Sequence, residues 1–452
     1  MNQLLERAAA TRAIPGNRVR LLQDGPESYE AMLDLIARAT RWIHFENYII
    51  HDDRTGRRFA EALSVRAGEG ISVQVLYDWL GCAGTPRRFW RDLRAAGVRV
   101  RVFNPLRPAA LFGNLERDHR KLVVVDGESA VLGGLCIGDE WMGDPARDIP
   151  PWRDTAIEIE GPACVALDRT FWHVWERSKG DAGLAGEAPE VPERGDATVW
   201  VLAGEPGRMR TSRVIELLAT AVQDRLWIAD AYLLPPRRLR QAFADAARNG
   251  VDVRFLGPSS SDVPWIRNLT RINYRPALKA GARIFEWDGP MLHAKTLVSD
   301  SRWTKIGSSN LNAASLLGNY ELDVLIEQPH LAMAMEAQFR RDSATSHEVL
   351  RQPIRAPVAL REVAPSTLRR HAPELPKEEH RMAKGERTRR AVVSLRRVAS
   401  GAVRSVYSGL ILLLVAMAAT FIALPHLSAY IFAGICAWLA LAATFQLIRR
   451  RD

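Results

Sequence analysis

The sequence predicts an α/β protein made of two pseudo-symmetric α/β/α sandwich domains that form one site, followed by a C-terminal transmembrane helical hairpin. Three observations predict it. Short strand-like runs such as Val73 to Tyr77 alternate with amphipathic segments such as Ser28 to Thr40. The alternation recurs at a constant offset of 184, with Ser28, Leu33, Ala37, Arg41 and Tyr48 meeting Ser212, Leu217, Ala221, Arg225 and Tyr232. Between Arg404 and Arg449 the chain carries no Asp, Glu, Lys or Arg.

The first domain spans residues 1–190. Met1 to Asn17 mixes charge with small residues and has no apolar stretch of the kind a cleaved secretory signal needs. A helix over Ser28 to Thr40, a strand over Trp42 to Ile50, another helix and a strand over Ser72 to Tyr77 follow. The second domain, residues 191–347, repeats this order, with strands over Leu226 to Leu234 and Val251 to Leu256. Residues 348–404 form a linker and juxtamembrane segment, because from about Glu348 to Arg390 the composition shifts to Pro, Arg, Glu and Lys with few large apolar residues. Its last part, Lys384 to Arg404, reads either as a basic helix lying on anionic lipid or as a solvated charge run. Residues 405–452 hold the hairpin. Pro425-His426 divides it into segments from about Val406 to Leu424 and from about Ser428 to Ile448, each near the roughly 20 residues a spanning helix needs. Arg396, Arg397 and Arg404 before the pair and Arg449, Arg450 and Arg451 after it place both ends in the cytoplasm.

Composition narrows the function less sharply. The 452 residues are 47% hydrophobic and 25% charged, ordinary for a globular protein, and the formal charge of +10 favours anionic partners without choosing among nucleic acid, lipid headgroups and acidic metabolites. Cys82, Cys136, Cys164 and Cys436 lie far apart with no CxxC pair, which argues against a structural zinc site or a disulfide framework and fits a reducing compartment.

The chemistry lies in a repeated motif. His119, Lys121 and Asp126 are followed by Gly133-Gly134-Leu135-Cys136, and His293, Lys295 and Asp300 by Gly307-Ser308-Ser309-Asn310, with identical spacings in the two copies. Residues two apart on a strand project from the same face, so each His and Lys reach one phosphate together. Lys121 and Lys295 supply positive charge where a transition state gathers negative charge, and no metal or other cofactor is then required. A nucleophilic histidine presents one ring nitrogen to phosphorus while an acceptor holds the other, so a carboxylate is expected in each half. Asp154 and Glu321, at the starts of strand-like runs, are the candidates. Asp126 and Asp300 join the catalytic set by motif, although a local turn explains them equally well. The glycine turns, Gly134 among them, allow close backbone approach to a substrate, and Ser308 and Asn310 can donate to it.

Paired HxKxxxxD motifs with these trailing residues resemble the phospholipase D superfamily. The wording Glu116-Arg117-Asp118-His119-Arg120-Lys121 and Gly307-Ser308-Ser309-Asn310-Leu311 is similar to bacterial cardiolipin synthases, especially the B type, over about residues 18 to 345. The resemblance implies two phospholipase D-like domains and a metal-independent, two-step phosphatidyl transfer through a phosphohistidine. By that analogy His119 is the nucleophile and His293 the acid and base, Lys121, Lys295 and Asn310 bind phosphate, and Asp154 and Glu321 partner the histidines. Cys136 departs from the family's usual asparagine.

The expected reaction moves a phosphatidyl group between two phosphatidylglycerol molecules to give cardiolipin and glycerol. The expected partners are anionic phospholipids, phosphatidylglycerol and cardiolipin, and the bilayer itself. Nucleic acid is not expected, since the hairpin argues for a lipid, and the expected location is the bacterial inner membrane with the catalytic domains in the cytoplasm. Phe112, Trp141, Trp152, Trp265 and Trp287 are candidates to line an acyl-chain entrance. Hydrolysis to phosphatidic acid, or transfer with another phospholipid donor or alcohol acceptor, is the alternative outcome of the same chemistry, ahead of a nuclease or an inactive membrane scaffold.

Overall fold

The computed structural model describes residues 1–105, 116–179, 190–262 and 264–350. The linker and basic segment beyond residue 350, the C-terminal hairpin, Phe112 and the Trp265 side chain lie outside the described residues. Among the described residues no helix is long and apolar enough to cross a membrane.

The first half comprises α1 (Asn2–Ala9), β1 (Ile14–Gln23), α2 (Asp24–Arg38), β2 (Trp42–Asn47), α3 (Arg54–Gly68), β3 (Ser72–Asp78), α4 (Arg87–Ala95) and β4 (Arg99–Phe103). It continues with β5 (Lys121–Val125), β6 (Ser129–Gly133), α5 (Asp139–Met142), β7 (Thr155–Glu160) and α6 (Ala163–Arg177). The second half comprises β8 (Ala197–Gly204), α7 (Arg210–Ala221), β9 (Arg225–Asp230), α8 (Arg237–Arg248), β10 (Asp252–Pro258), α9 (Pro264–Ala280) and β11 (Arg283–Trp287). It ends with β12 (Lys295–Ser299), β13 (Trp303–Gly307), α10 (Ala313–Gly318), β14 (Glu321–Glu327), α11 (Pro329–Ala344) and β15 (Ser346–Glu348).

The described strands run in one sheet in the order β15-β11-β10-β9-β12-β13-β14-β8-β1-β7-β6-β5-β2-β3-β4. Read outward from the β8–β1 seam, the two halves repeat the same topology, which is the structural form of the sequence repeat. The seam is antiparallel and irregular, pairing Ile14 with Val199 and Asn17 with Ala197 across a bulge. Gly16 takes the left-handed conformation there (φ 83°), a region open to glycine without a Cβ penalty. The buried Asn17 amide completes the seam, donating to Ile14 O at 2.7 Å and accepting from Ala163 N at 2.8 Å.

Three apolar layers hold the sheet. Residues of α2, α3 and α4 cover one face of the first half, and those of α1, α7 and α8 cover the matching face of the second. The third layer gathers Phe171, Val174 and Trp175 of α6 and Met335 and Phe339 of α11 with Leu122, Val124, Val298 and Ile306 of both halves. The central strands β5 and β12 are therefore buried along their whole length, which explains the near-continuous apolar run Leu122 to Val125 and the burial of the lysines that begin each strand.

Asp126 and Asp300 lie at the far ends of these strands from the lysines. Five residues of strand separate Lys121 from Asp126, about 16 Å, and both aspartates adopt left-handed φ, 56° and 51°. The Asp126 carboxylate accepts from Thr40 N, Arg41 N and Trp42 N at 2.8, 2.8 and 2.9 Å. Asp300 accepts from Gln223 N, Asp224 N and Arg225 N at 3.0, 2.9 and 3.0 Å. Their placement in the catalytic set is thus corrected: each ties off the free amides that open β2 or β9. Burial pushes the Asp126 carboxyl up, but the Trp42, Thr40 and Arg41 hydrogen bonds outweigh it and hold the group below the usual carboxylate range. Asp126→Ala is expected to cost about 2–3 kcal/mol, since it orphans several amides at once, with kcat nearly unchanged below the melting transition. Denaturant unfolding alongside turnover checks it. A large loss of kcat in a stably folded variant would contradict the structural role.

Candidate active site

Each motif histidine sits where a strand of one half touches the other half. His119 N donates to Tyr320 O at 2.9 Å and Tyr320 N to Arg117 O at 2.8 Å. On the opposite side His293 N donates to Arg153 O at 2.7 Å and Arg153 N to Met291 O at 2.9 Å. These two parallel bridges set the residues after Tyr320 and Arg153, namely Glu321 and Asp154, against the histidines of the other half. His119 Nδ1 lies 3.0 Å from Glu321 Oε2, and His293 Nδ1 lies 2.8 Å from Asp154 Oδ2. The acids are exchanged: the first-half histidine is held by the second half and the second-half histidine by the first. The sequence supplied the four residues but not this crossing, which depends on how the halves meet.

Electrostatics define the state of these pairs. Burial, and then the two lysines, pull both histidines below the ordinary imidazole range against the pull of their carboxylates. Burial raises Asp154 and Glu321, but their histidine and lysine neighbours outweigh it and leave both below the usual range. At neutral pH the site therefore holds neutral imidazoles against ionised carboxylates. A carboxylate only accepts, so each Nδ1 carries the proton and each Nε2 keeps a lone pair for an electrophile or a proton.

The acids are themselves anchored. Glu321 accepts from the Ser308 and Ser315 hydroxyls, each at 2.5 Å. Asp154 accepts from Trp141 Nε1 at 3.1 Å and from Thr155 N at 2.8 Å. Buried Arg153 binds Asp342 of α11 at 2.9 Å and Asp24 of α2 at 3.2 Å, fixing the strand that carries Asp154. These contacts correct two of the substrate-binding expectations. Ser308 donates to Glu321 and accepts Leu322 N at 2.9 Å, so its hydroxyl is occupied. The backbone at Gly134 abuts the Asp154 carboxylate, where an added Cβ would lie 2.2 Å from Oδ1, so the glycine makes room for the acid. Asn310 is different: among the described residues its buried amide oxygen has no hydrogen-bond partner, which leaves an acceptor for a ligand hydroxyl.

Lys121 and Lys295 are both buried, and each ammonium donates back to the carbonyl of its motif histidine. Their fields overlap, because both lysines act on both imidazoles. The halves differ in what faces the lysine across the ladder, where Lys121 pairs with Asn47 and Lys295 with Asp230. Burial and the nearby Lys121 lower Lys295 to about 8, with Asp154 and Asp230 opposing. With the charged lysine as the expected active form, kcat/KM is predicted to fall as pH rises through about 8, the value of the free enzyme. A pH–rate profile flat to pH 10 would contradict this. Cys136 is buried, its thiol raised by burial, so it is no replacement for an amide donor.

Several contributors escaped the sequence reading. The Tyr48 ring stands 4.9 Å from that of His119 and the Tyr232 ring 6.4 Å from that of His293. Both tyrosines were visible in the repeat, which is the signal that points to them. Trp141 and Trp152, anticipated as lining, flank His293 at 5.4 and 6.0 Å. Trp287, by contrast, packs against the central apolar layer. Asp230 and Ser315 carried no local signal.

A family model described as cardiolipin synthase, phospholipase D-like domain, matches residues 32–140 and 214–343, one match in each half. Cardiolipin synthase A of Pseudomonas syringae is 32% identical over 76% of this chain and 74% of its own length. The chain belongs to the cardiolipin synthase family of phospholipase D-like proteins. Within that family, a cardiolipin synthase of Listeria monocytogenes is 29% identical over 74% of this chain and 70% of its own. A crystal structure of phosphatidylserine synthase from Haemophilus influenzae superposes with a TM-score of 0.58 at 16% identity, covering 73% of this chain and 87% of that one, a likeness of fold. The family match spans both halves and both HxK pairs, while Asp154 lies outside it.

Proposed function

We propose that this phosphatidyltransferase makes cardiolipin and glycerol from two phosphatidylglycerol molecules through a phosphohistidine on His119. The crossed His119–Glu321 and His293–Asp154 pairs carry the reading, because they give two imidazoles with free Nε2 positions beside two lysines. The donor's phosphodiester anion binds between Lys121 and Lys295, with the Asn310 amide beside it, and offsets the lysine field that, after burial, helps keep His293 neutral. His293 Nε2 then takes up a proton. His119 Nε2 attacks phosphorus, the bond to the glycerol headgroup breaks, and His293 donates its proton to the departing oxygen. Glycerol leaves and a second phosphatidylglycerol enters. His293, neutral again, removes the proton from its headgroup hydroxyl, that oxygen attacks phosphorus, and the bond to His119 breaks, releasing cardiolipin. Glu321 and Asp154 hold the two rings and balance the imidazolium charge as it forms.

From the sequence alone, we infer that the charge-free stretch between Arg404 and Arg449, which lies outside the described residues, anchors the chain at the inner membrane with both ends cytoplasmic, beside an anionic, water-insoluble substrate. Membrane anchoring is what favours lipid over nucleic acid for a chain of +10. The test is to incubate purified protein with labelled phosphatidylglycerol in mixed micelles. Cardiolipin is expected as the labelled product. Phosphatidic acid alone would assign the chain to hydrolysis instead.

A further inference from the structure

We propose that the face formed by α8 and α9 seats the catalytic unit directly on an anionic phospholipid bilayer, at the rim of the active site. The proposal rests on the lipid reading above and adds the surface that meets the membrane.

Three observations carry it. From Pro264 to Phe285 the chain has no Asp or Glu but carries Arg267, Arg271, Arg275, Lys279 and Arg283, and α8 opens with Arg237, Arg238 and Arg240. The four-residue spacing of the α9 bases places them along one stripe of the helix. Arg271 is taken by Glu286 at 2.8 Å, whereas Arg237, Arg238, Arg275 and Lys279 are exposed and form no ion pair with a described residue. Beside the stripe, Ile272 is 71% and Leu269 42% exposed, and with exposed Pro276 they follow the i, i+3, i+7 spacing of one helix face. Isolated exposed apolar residues are ordinary. On α8 the exposed Asp245 is paired with Arg248 at 2.6 Å, and an apolar ridge beside the acid-free basic stripe of α9 is the pattern of a helix that lies in an anionic interface.

The third observation is continuity with the site. β9 and β10 are parallel neighbours, and their C-terminal ends lead into α8 and α9. Asp230, the last residue of β9, faces Lys295. Two residues on, Tyr232 stands beside His293, and Leu234 N donates to Leu311 O at 2.9 Å, next to Asn310. Pro235 then enters an apolar cleft shared with Phe243, Tyr274 and Pro276, and the Arg240 guanidinium bridges its mouth from Pro235 O at 3.2 Å to Asn273 Oδ1 at 3.3 Å. A bilayer meeting α9 therefore lies a few residues from the phosphate site, so a lipid headgroup reaches the histidines without leaving the interface.

The test uses the full chain with Cys436→Ser, since Cys82, Cys136 and Cys164 are buried. A nitroxide is placed at Ile272→Cys, and separately at Val65→Cys, 52% exposed on α3, as a reference. The protein is reconstituted in vesicles of phosphatidylglycerol and phosphatidylcholine, or of phosphatidylcholine alone. The position-272 label is expected to become several-fold more accessible to oxygen than to a water-soluble nickel chelate in the anionic vesicles, with a smaller contrast in the neutral ones, while the reference stays aqueous. A label at 272 as aqueous as the reference overturns the proposal. So does one already shielded in lipid-free detergent, which would mean that a second copy or residues 406–448 cover the face. Ile272→Glu is expected to slow turnover of vesicle phosphatidylglycerol about tenfold while leaving the mixed-micelle rate near wild type. If the wild type makes neither cardiolipin nor phosphatidic acid in micelles, the lipid reading itself fails, whereas a failed docking surface leaves that turnover intact.

Discussion

His119→Ala and His293→Ala are each expected to lower cardiolipin formation by at least about 10⁴-fold, the scale on which a nucleophile or a proton-transfer group acts. The two losses differ in kind, and the leaving group separates them. A phosphatidyl ester of p-nitrophenol departs without needing a proton. With it, His293→Ala is expected to release a rapid burst of p-nitrophenolate equal to the enzyme present, because His119 still attacks. His119→Ala is expected to give no burst. A burst in His119→Ala and none in His293→Ala would reverse the two roles. The experiment is needed because the resting electrostatics do not distinguish them by themselves: both rings are neutral and depressed below the ordinary imidazole range. Burial and the lysines together set that depression, and in this account the lysine part is offset when the phosphodiester anion settles between them.

Lys121→Met and Lys295→Met are expected to lower kcat by about 10²–10³-fold each, the usual cost of removing one preorganised donor to developing negative charge. Folding should respond differently from catalysis. Both ammonium groups are buried, and a buried charge is costly unless paired, so a methionine of similar length is expected to leave the melting temperature unchanged or higher. Lys295 faces Asp230 and lies near Asp154, whereas Lys121 faces the neutral Asn47, so Lys121→Met is the variant expected to gain more stability. Steady-state kinetics and calorimetry on the same samples check both statements. A kcat within tenfold of wild type would remove the lysines from the chemistry, and a collapsed fold would make them structural.

Much of this was legible in the chain because the information was local and repeated. The alternation of strand and helix and the 184-residue offset gave the two halves, and the HxK spacing put each His and Lys on one face of a strand. Asp154 and Glu321 were visible because each opens a strand-like run after a motif. What the sequence did not carry was the geometry across the seam. Nothing in one half marks its acid as belonging to the histidine of the other, and the bridges Asp118–Tyr320 and Arg153–Leu292 that enforce the exchange are backbone contacts between segments distant in sequence. The motif aspartates misled for a related reason. A fixed spacing reads the same whether a residue meets substrate or ties off a strand, and only the amides around Asp126 and Asp300 distinguish the two. Ser308 looked like a ligand donor until its hydroxyl was found on Glu321.

The exchange has a mechanical consequence. Because the carboxylate that holds each histidine comes from the other half, the paired site depends on the β8–β1 seam holding the halves in register. Asn17, buried in that seam, becomes a positioning residue, and Asn17→Ala is expected to raise the fraction of inactive enzyme before it unfolds the chain. Turnover measured along a thermal ramp together with near-ultraviolet circular dichroism checks it, with activity expected to be lost several degrees below the unfolding midpoint.

The central claim is that two histidines, each held by the acid of the opposite half, act on one phosphate, and that His119 carries the phosphatidyl group. The most direct measurement is rapid quenching of the wild type with phosphorus-labelled phosphatidylglycerol under alkaline, denaturing conditions that preserve phosphohistidine, followed by peptide mapping. The account predicts label on His119, lost in His119→Ala and accumulating in His293→Ala when the p-nitrophenyl ester is the donor. Label on His293, or cardiolipin formed at full rate with no histidine adduct at any time point, would contradict it.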